Sequence, residues 1–501
     1  MKRLLCILLT LCVFLSSCTL FDRQVEETPA HTEEPEEQTP EINLSTERTE
    51  SLYTLGWSPD LNLNPFITRS TTNWTYLPLI YESLFQLSPD FSAEPLLCES
   101  AESSMDGRLW TLKLRKDVKF SNGVTMTASD VVYSLELAIK SELYGDRLAC
   151  IDNVVQSGQY EVTVSLTKPM GDLPLLLDTP IIRTGSAEDP IGTGPYALIV
   201  TEEDQYLERV ADWRESELPI GRIYLHMVSN TNSVRDAFEF GRVDLVVSDL
   251  NAGGAVNFHS NYELWSQDTT ILQFLSFHPE SALFGSAAVR AAVTHAIDRQ
   301  ALITEHFDGY GVSATLPAHP RSACYQLPLA EDYGYDPELL RQAVSDAGLS
   351  GRRGTLLVNS DNASNCAAAR AIADFLYEGG LDLEVITATG ENYDSLLELG
   401  GYDLAYCEVR LTADFDLSAF FGGPLSGYAI QHDEAPALCL AALENRGNFY
   451  DLHKLVMDEG LLCPILFKSR SVMTDRGSVT DLTPAPLNVF YGLQSLTIRT
   501  D

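Results

Sequence analysis

Positive charge is scarce in this chain: 33 Lys and Arg stand against 71 Asp and Glu in 501 residues, a formal net charge of -38 at pH 7. A field of that sign repels nucleic acid and phosphate-rich surfaces, and it favours neutral or cationic partners. Long apolar runs are also lacking. After Leu4–Leu15 no stretch approaches the roughly 20 residues that a membrane-spanning helix needs. The ten cysteines include no C-x-x-C pair, which excludes the usual zinc spacings and a dense disulfide framework. The seven beyond Cys18 are Cys98, Cys150, Cys324, Cys366, Cys407, Cys439 and Cys463. They read as free, buried groups acting as small hydrophobes, with a stray disulfide as the alternative. There is no internal repeat and no G-x-S-x-G elbow, H-E-x-x-H helix or G-x-x-x-x-G-K-[ST] loop. That counts against a secreted hydrolase, although a triad assembled in space leaves no fixed spacing.

What is present begins with Met1-Lys2-Arg3 and the apolar run Leu4–Leu15, an export signal too short to span a bilayer. It ends in Leu15-Ser16-Ser17-Cys18, which resembles the lipobox of bacterial lipoproteins. The resemblance implies that residues 1–17 are removed and that the Cys18 thiol carries a diacylglycerol. The alternative is an ordinary secretory peptide cut after small residues. Two acyl chains hold a protein stably to a membrane where one is marginal. Residues 18–50 carry ten acids against Arg23 and Arg48 and few apolar side chains, so they read as a disordered acidic tether. About 450 residues follow, enough for two or three domains and a large core.

Local patterns give an α/β reading. In WTLKLRKDVKFSNG, Trp110, Leu112 and Leu114 alternate with Thr111, Lys113 and Arg115, so the basic stripe is the wet face of a strand. Asn122-Gly123 supplies a turn, and Thr127 with Asp130 makes a capping-box start for a helix carrying Val131, Val132, Leu135 and Ile139. Gly192 and Gly194 suit a tight turn that needs positive φ. Val289, Val293, Ala296 and Ile297 recur at helical spacing, leaving Arg290 and Arg299 for the outer face or a helix end. His295 beside them reads as a satisfied structural group. Pro337 opens a further helix that ends near Gly348. Leu356-Leu357-Val358 reads as a buried strand, Ala367–Leu376 as a helix and Leu381–Ile386 as another strand.

Several stretches, in order, resemble the peptide/nickel-type extracellular solute-binding proteins of ABC importers (family 5). They are Leu63-Asn64-Pro65-Phe66, Tyr81-Glu82-Ser83-Leu84, the WTLKLRKDVKFSNG segment with its helix, Pro190-Ile191-Gly192-Thr193-Gly194-Pro195-Tyr196, Val289-Arg290 to Ala296-Ile297-Asp298-Arg299, Tyr335-Asp336-Pro337 and Gly401-Tyr402-Asp403-Leu404. The resemblance implies a two-lobed, periplasmic-binding-protein-like α/β fold of class II. Lobe I would comprise 51–80, 181–268 and 480–501, an extra subdomain 81–180, and lobe II 269–479. Ligand would lie between the lobes, with no cofactor and no catalytic or metal site.

Two segments carry the site by resemblance. Arg69, Ser70 and Thr71, after Leu63-Asn64-Pro65-Phe66, would offer main-chain partners to a peptide; a plain surface loop is the alternative. Ala413-Asp414-Phe415-Asp416 resembles the motif in which an aspartate takes the peptide ammonium, and the residue for that role is Asp414. The alternative is that Asp414 or Asp416 caps a helix over 417–421. Arg410-Leu411 stands where many members have Gly-Trp. The implied function is a monomeric, lipid-anchored receptor on the extracytoplasmic membrane face. It would capture di- or oligopeptides and deliver them to an ABC permease and its ATPase, without nucleic acid and without chemistry. A nickel chelate or other small solute, with His432 as a free imidazole, is the alternative ligand.

Overall fold

The computed structural model describes residues 53–58, 63–202, 204–211, 213–214, 218–249 and 258–498. Cys18 and the acidic segment before residue 51 lie outside them. Among the described residues, one mixed sheet of 11 strands organises the chain. Its path runs Leu381–Ala388, Arg352–Asn359, Leu404–Arg410, Tyr262–Phe277, Cys463–Asp475, Leu245–Ser248, Tyr53–Trp57, Arg222–Met227, Gln205–Arg209 and Tyr196–Val200, with Val312–Ser313 beside Cys463–Asp475.

Two of these strands far outrun the rest, Tyr262–Phe277 with 16 residues and Cys463–Asp475 with 13. They are antiparallel partners. Tyr262–Asp268 faces Ser469–Asp475, Leu272–Leu275 faces Cys463–Phe467, and the register shifts between Asp268 and Leu272. Such a break bends the strand and increases its local twist. The Thr269 hydroxyl at the break donates to the Lys468 carbonyl at 2.7 Å, so a backbone acceptor left without a ladder partner is still satisfied.

On either side of the break the sheet is built differently. In one half Tyr53–Trp57 runs parallel to Arg222–Met227 and Leu245–Ser248. In the other, Arg352–Asn359 runs parallel to Leu381–Ala388 and Leu404–Arg410, with the helix Ala363–Glu378 between consecutive strands. A parallel sheet covered on both faces needs continuous apolar strands, and Leu356-Leu357-Val358 shows why. Leu356 and Val358 pack with Leu275, Leu404 and Ile372 on one face, whereas Leu357 packs with Phe274, Ala405 and Phe467 on the other. The first half is likewise covered twice: Leu55, Ile223 and Val472 belong to its large core, and Val228, Phe238 and Met473 to a smaller one behind.

A four-stranded antiparallel sheet, Cys98–Ser103, Leu109–Leu114, Glu161–Leu166 and Ile151–Gly158, forms a separate layer with the helix Ala128–Lys140. The basic stripe is its wet face: Trp110, Leu112 and Leu114 are buried, and Lys113 reaches Glu102 at 3.0 Å. Gly123 turns the chain at φ +82°, and Thr127 and Asp130 form the capping box. The strand and helix expectations at 337–386 hold within a few residues: Pro337–Asp346, Arg352–Asn359, Ala363–Glu378 and Leu381–Ala388. His295 is a satisfied group, its Nδ1 lying 2.8 Å from the Gly334 carbonyl.

Three expectations need correction. Neither Gly192 nor Gly194 has positive φ; they are glycines because a Cβ would stand 2.0 Å from the Ile80 carbonyl oxygen and 2.5 Å from that of Leu79. Arg290 and Arg299 are buried and not on an outer face; of the two places expected, the helix end is the one found, with Arg290 in the first turn of Ala287–Ala296 and Arg299 opening Arg299–His306. Arg290 donates to the carbonyls of Glu459, Gly460, Phe284 and Gly285, and Arg299 to those of Ala314, Thr294 and Pro464. Each guanidinium thereby satisfies backbone carbonyls at or near the ends of helices and strands that would otherwise be orphaned. Residues 417–421 form turns, not a helix. The seven described cysteines are all buried and free. No helix among the described residues is long and apolar enough to cross a membrane.

The hairpin Phe85–Leu87 and Ala93–Pro95 places Phe91 at its tip with φ +61°. Phe91 is buried against His319 at 4.5 Å and Phe415 at 5.5 Å, within the core of the Arg352–Arg410 half. A bulky residue in the left-handed region costs free energy, so packing has to offset it. Phe91→Ala is expected to lower stability by about 3 to 5 kcal/mol in denaturant unfolding. A change well under ~1 kcal/mol would show that the tip bears no such role.

Candidate functional site

Between the two halves of the large sheet, a cavity of about 1530 Å³ opens beside the register break. That exceeds the roughly 300–1,000 Å³ of ordinary small-molecule pockets. Trp74, Leu77 and Tyr144 line one side, Thr270 and residues 409–414 the other. The second wall follows directly from the strand Leu404–Arg410, whose last residues run out of the sheet into the cavity.

Asp414 lies on that wall and is buried. The chain gets it there through an unusual backbone: the next residue, Phe415, has φ +54° and is held by Phe91 and by Phe467 at 5.7 Å. Thr412 Oγ1 donates to Asp414 Oδ1, and the Asp416 amide approaches the same oxygen at 3.4 Å. Burial pushes the Asp414 carboxyl up to about 6 and the Asp416 charge adds to this, while the hydrogen bonds from Thr412 and the Asp416 amide and the charge of Lys168 oppose it. Asp414 thus ionises reluctantly, and a cation brought beside it would be welcome.

Asp416 is spoken for. Its Oδ1 accepts from the Ser418 amide at 2.8 Å and the Ser418 hydroxyl at 2.6 Å, and its Oδ2 takes Lys168 Nζ at 2.9 Å. The capping duty weighed for either aspartate therefore falls to Asp416, on a turn; both aspartates line the cavity, and Asp414 has no cation within ion-pair distance among the described residues.

Arg69 and Thr71 line the same cavity from the opposite wall. Arg69 pairs with Glu142, and the Thr71 carbonyl accepts from the Thr75 hydroxyl. Ser70 is turned inward, its hydroxyl accepting from the Asn73 amide at 3.1 Å as the cap of the short helix Thr71–Trp74. The structure so brings Arg69, Thr71 and Asp414 together and gives the Ser70 side chain other work. His432 is not on the cavity wall; its Nδ1 accepts from the Glu434 amide at 3.2 Å. Among the described residues no cluster of three or more His, Cys, Asp or Glu is arranged to hold a metal ion.

Sequence reasoning missed Lys168 and Arg470 on the wall, and Arg214, which grips buried Glu82 with two nitrogens, one at 2.7 Å, beneath it. None sits in a motif. Arg410 carried a signal, since it stood out as a departure from the family pattern.

Comparison with known proteins places this geometry. A model of "Bacterial extracellular solute-binding proteins, family 5 Middle" matches residues 92–426. Heme-binding protein A of Haemophilus influenzae is 26% identical over 337 residues, 59% of this chain and 60% of that protein. The glutathione-binding protein GsiB of Salmonella choleraesuis is 25% identical over 320 residues, 60% of this chain and 62% of that protein. The chain thus matches about three fifths of the length of these curated relatives. Among solved structures, the ABC transporter substrate-binding protein CtaP of Listeria monocytogenes superposes with a TM-score of 0.74 at 19% identity, covering 90% of this chain and 100% of that one. The oligopeptide-binding protein AppA of Bacillus subtilis, in complex with a nonapeptide, gives 0.60 at 18% identity, covering 89% and 99%. These likenesses establish the two-lobed α/β fold expected from the sequence. With the family match spanning well over half of its residues, the chain belongs to the bacterial extracellular solute-binding proteins, family 5.

Proposed function

We propose that the protein is the substrate-binding component of an ABC importer, held by a lipid on Cys18 at the extracytoplasmic face of the membrane, and that it captures a peptide-like solute between two lobes for delivery to a permease and its ATPase. The observation that carries this reading is a buried carboxylate, Asp414, on the wall of a cavity of about 1530 Å³. That combination suits a ligand with a cationic end and a bulky remainder. The family match and the ligands for which the relatives are named, heme and glutathione among them, support solute binding while leaving the solute open. The anchor rests on Leu15-Ser16-Ser17-Cys18.

In this reading the lobes meet at the register break. The pairing of Ser471–Thr474 with Leu245–Ser248 favours a return to lobe I near Lys468, earlier than the expected 480. The mechanism is closure without chemistry: a solute touching both walls binds the closed form more tightly and shifts the population toward it. Arg69 and Thr71 present the near wall, Asp414 the far one. Metal-chelate binding through His432 finds no support in its position off the wall.

Thermal shift against peptide pools of defined length tests the reading, since a bound ligand raises the melting temperature with the logarithm of its excess over Kd. A pool that stabilises the protein is expected; heme or glutathione stabilising it where no peptide pool does would replace the ligand. With a peptide that binds, Asp414→Asn should weaken affinity by about 1.5 to 3 kcal/mol in calorimetry, and unchanged affinity would remove the ammonium role.

The pH dependence has a definite sign. The folded-state carboxyl of Asp414 is raised, so this group favours the folded ligand-free protein most at low pH, and that contribution fades as pH rises toward about 6. Capture of an ammonium needs the ionised form. Affinity should therefore increase as pH rises through about 6 and level off above it, and the rise should vanish in Asp414→Asn.

Gly171 offers a separate handle on closure. Its amide donates to the Leu443 carbonyl at 2.7 Å across the lobes, and a Cβ there would sit 2.5 Å from the Glu444 carbonyl oxygen. Gly171→Ala should lower peptide affinity and enlarge the radius of gyration in small-angle scattering, with no lobe unfolding.

A further inference from the structure

We propose that the two halves of the molecule are clasped beside the cavity by a reciprocal joint. Phe91 and Leu443 each enter the other half's core, and the pairs Lys168–Asp416 and Arg446–Asp172 cross with opposite polarity, so that the closed form is populated before any solute arrives. The inference rests on the two-lobe reading above and requires nothing of the solute's identity.

Apolar side chains supply the hold. Phe85, at the base of the hairpin that carries Phe91, belongs to the core of the Tyr53–Trp57 half, whereas Phe91 at the tip is buried with Phe415 and Phe467 in the core of the other half. The base is tied to its own side: the Phe85 amide donates to the Leu177 carbonyl at 3.2 Å, and the Tyr491 hydroxyl to Glu94 at 2.8 Å. Leu443 makes the opposite crossing. It lies near the end of the helix Ala435–Glu444, whose Cys439 and Ala442 pack in the far core, yet its own side chain is buried in the core of the first half. Leu87 and Leu175 of the first half also meet Ala413 of the second. Opening the lobes has to draw these side chains out of apolar surroundings, at a cost that grows with the area exposed.

Charges fix the register. The strap over 167–172 starts within the layer of the four-stranded sheet, where the Thr167 amide donates to the Cys150 carbonyl at 2.9 Å and the Met170 amide to the Gly107 carbonyl at 3.0 Å. At Gly171 it crosses, the amide donating to the Leu443 carbonyl at 2.7 Å. The last carbonyls of a helix lack partners within it, so this bond also caps the far helix. On either side of the crossing, Lys168 Nζ reaches Asp416 at 2.9 Å, and Arg446 pairs with Asp172. All four side chains are partly buried, which leaves them less screened by salt than exposed pairs. The strap thus offers a cation and then an anion to an anion and a cation. Any slip that set Lys168 against Arg446, or Asp172 against Asp416, would oppose like charges, so complementarity selects one register. A solute that meets lobes already drawn together spends less of its binding energy on closing them.

Hydrogen exchange resolved to single amides tests the clasp on the ligand-free protein. The Gly171 amide exchanges only when the strap lifts from Leu443, whereas the Met170 amide, bonded within its own layer, reports whether that layer stays folded. The comparison takes the wild type, Asp172→Arg, Arg446→Asp and the double variant in which the two charges are swapped. In the wild type Gly171 is expected to exchange roughly a hundredfold more slowly than an unprotected amide. Each single variant should speed it at least tenfold, and the swap should return it to within threefold of the wild type, with Met170 unchanged throughout. Phe91→Ala should speed Gly171 as well. Small-angle scattering should follow the same order, the single variants larger than the wild type and the swap compact again. An unprotected Gly171 in the wild type, protection that neither single variant alters, no recovery in the swap, or loss of protection at Met170 together with Gly171 would each overturn the clasp. Gly171 protected in a protein that no peptide pool stabilises would retire the peptide reading and keep the clasp; a bound peptide with Gly171 unprotected in the free protein would do the reverse.

Discussion

Everything in this molecule hangs on two long antiparallel strands that belong to both halves at once. Tyr262–Phe277 and Cys463–Asp475 are paired at either end and out of register between, so the halves are held by continuous backbone yet lack a full ladder where they join. Continuous ladders resist bending, and a break localises it. The lobes, the cavity between them and the charges that face it all take their positions from that one interruption.

The interruption is polar, which is costly in a protein interior unless every group is matched. Asp268 accepts from the Ser469 hydroxyl at 3.0 Å and lies 3.0 Å from Arg321. Gln273 bonds Asn365 at 3.0 Å and receives the Tyr406 hydroxyl at 2.7 Å. Lys468 stands between Asp249 on one side and Glu408 on the other. Replacing such a set with apolar side chains would often be no less stable. The matching is incomplete, since Gln267 Oε1, buried beside the break, has no hydrogen-bond partner among the described residues, so the joint carries a polar cost that a continuous apolar ladder would avoid.

How much of this the sequence disclosed depends on the range of the interaction concerned. Period-two alternation alone placed Trp110, Leu112 and Leu114, and a continuous apolar run placed Leu356–Val358, because one face or both faces of a strand are decided by its immediate neighbours in the sheet. Of the two places expected for Arg290 and Arg299, the outer face failed and the helix end held: they serve the nearby carbonyls of Phe284, Gly285 and Thr294, together with those of Glu459, Gly460 and Pro464, which no local pattern could reveal. Gly192 and Gly194 were recognised as necessary for the wrong reason, since nothing local reports that Leu79 and Ile80 pass so close. The crossing strands escaped notice because Gln267, Asp268 and Thr269 interrupt their apolar pattern at the very place where they matter. Asp414, Arg69 and Thr71 were singled out by resemblance and share one cavity; Ser70, singled out the same way for its main chain, uses its side chain as a cap.

The left-handed turn at Phe415 reaches further than its own strain. A residue wedged between Phe91 and Phe467 cannot relax when the cavity empties, so the neighbouring carboxylate waits in position instead of being assembled by its guest. In the proposed reading, the entropy of arranging that carboxylate is spent during folding, once, and not at each encounter. Discrimination among solutes would then fall to the remainder of the wall, which the fixed turn leaves free to vary in shape.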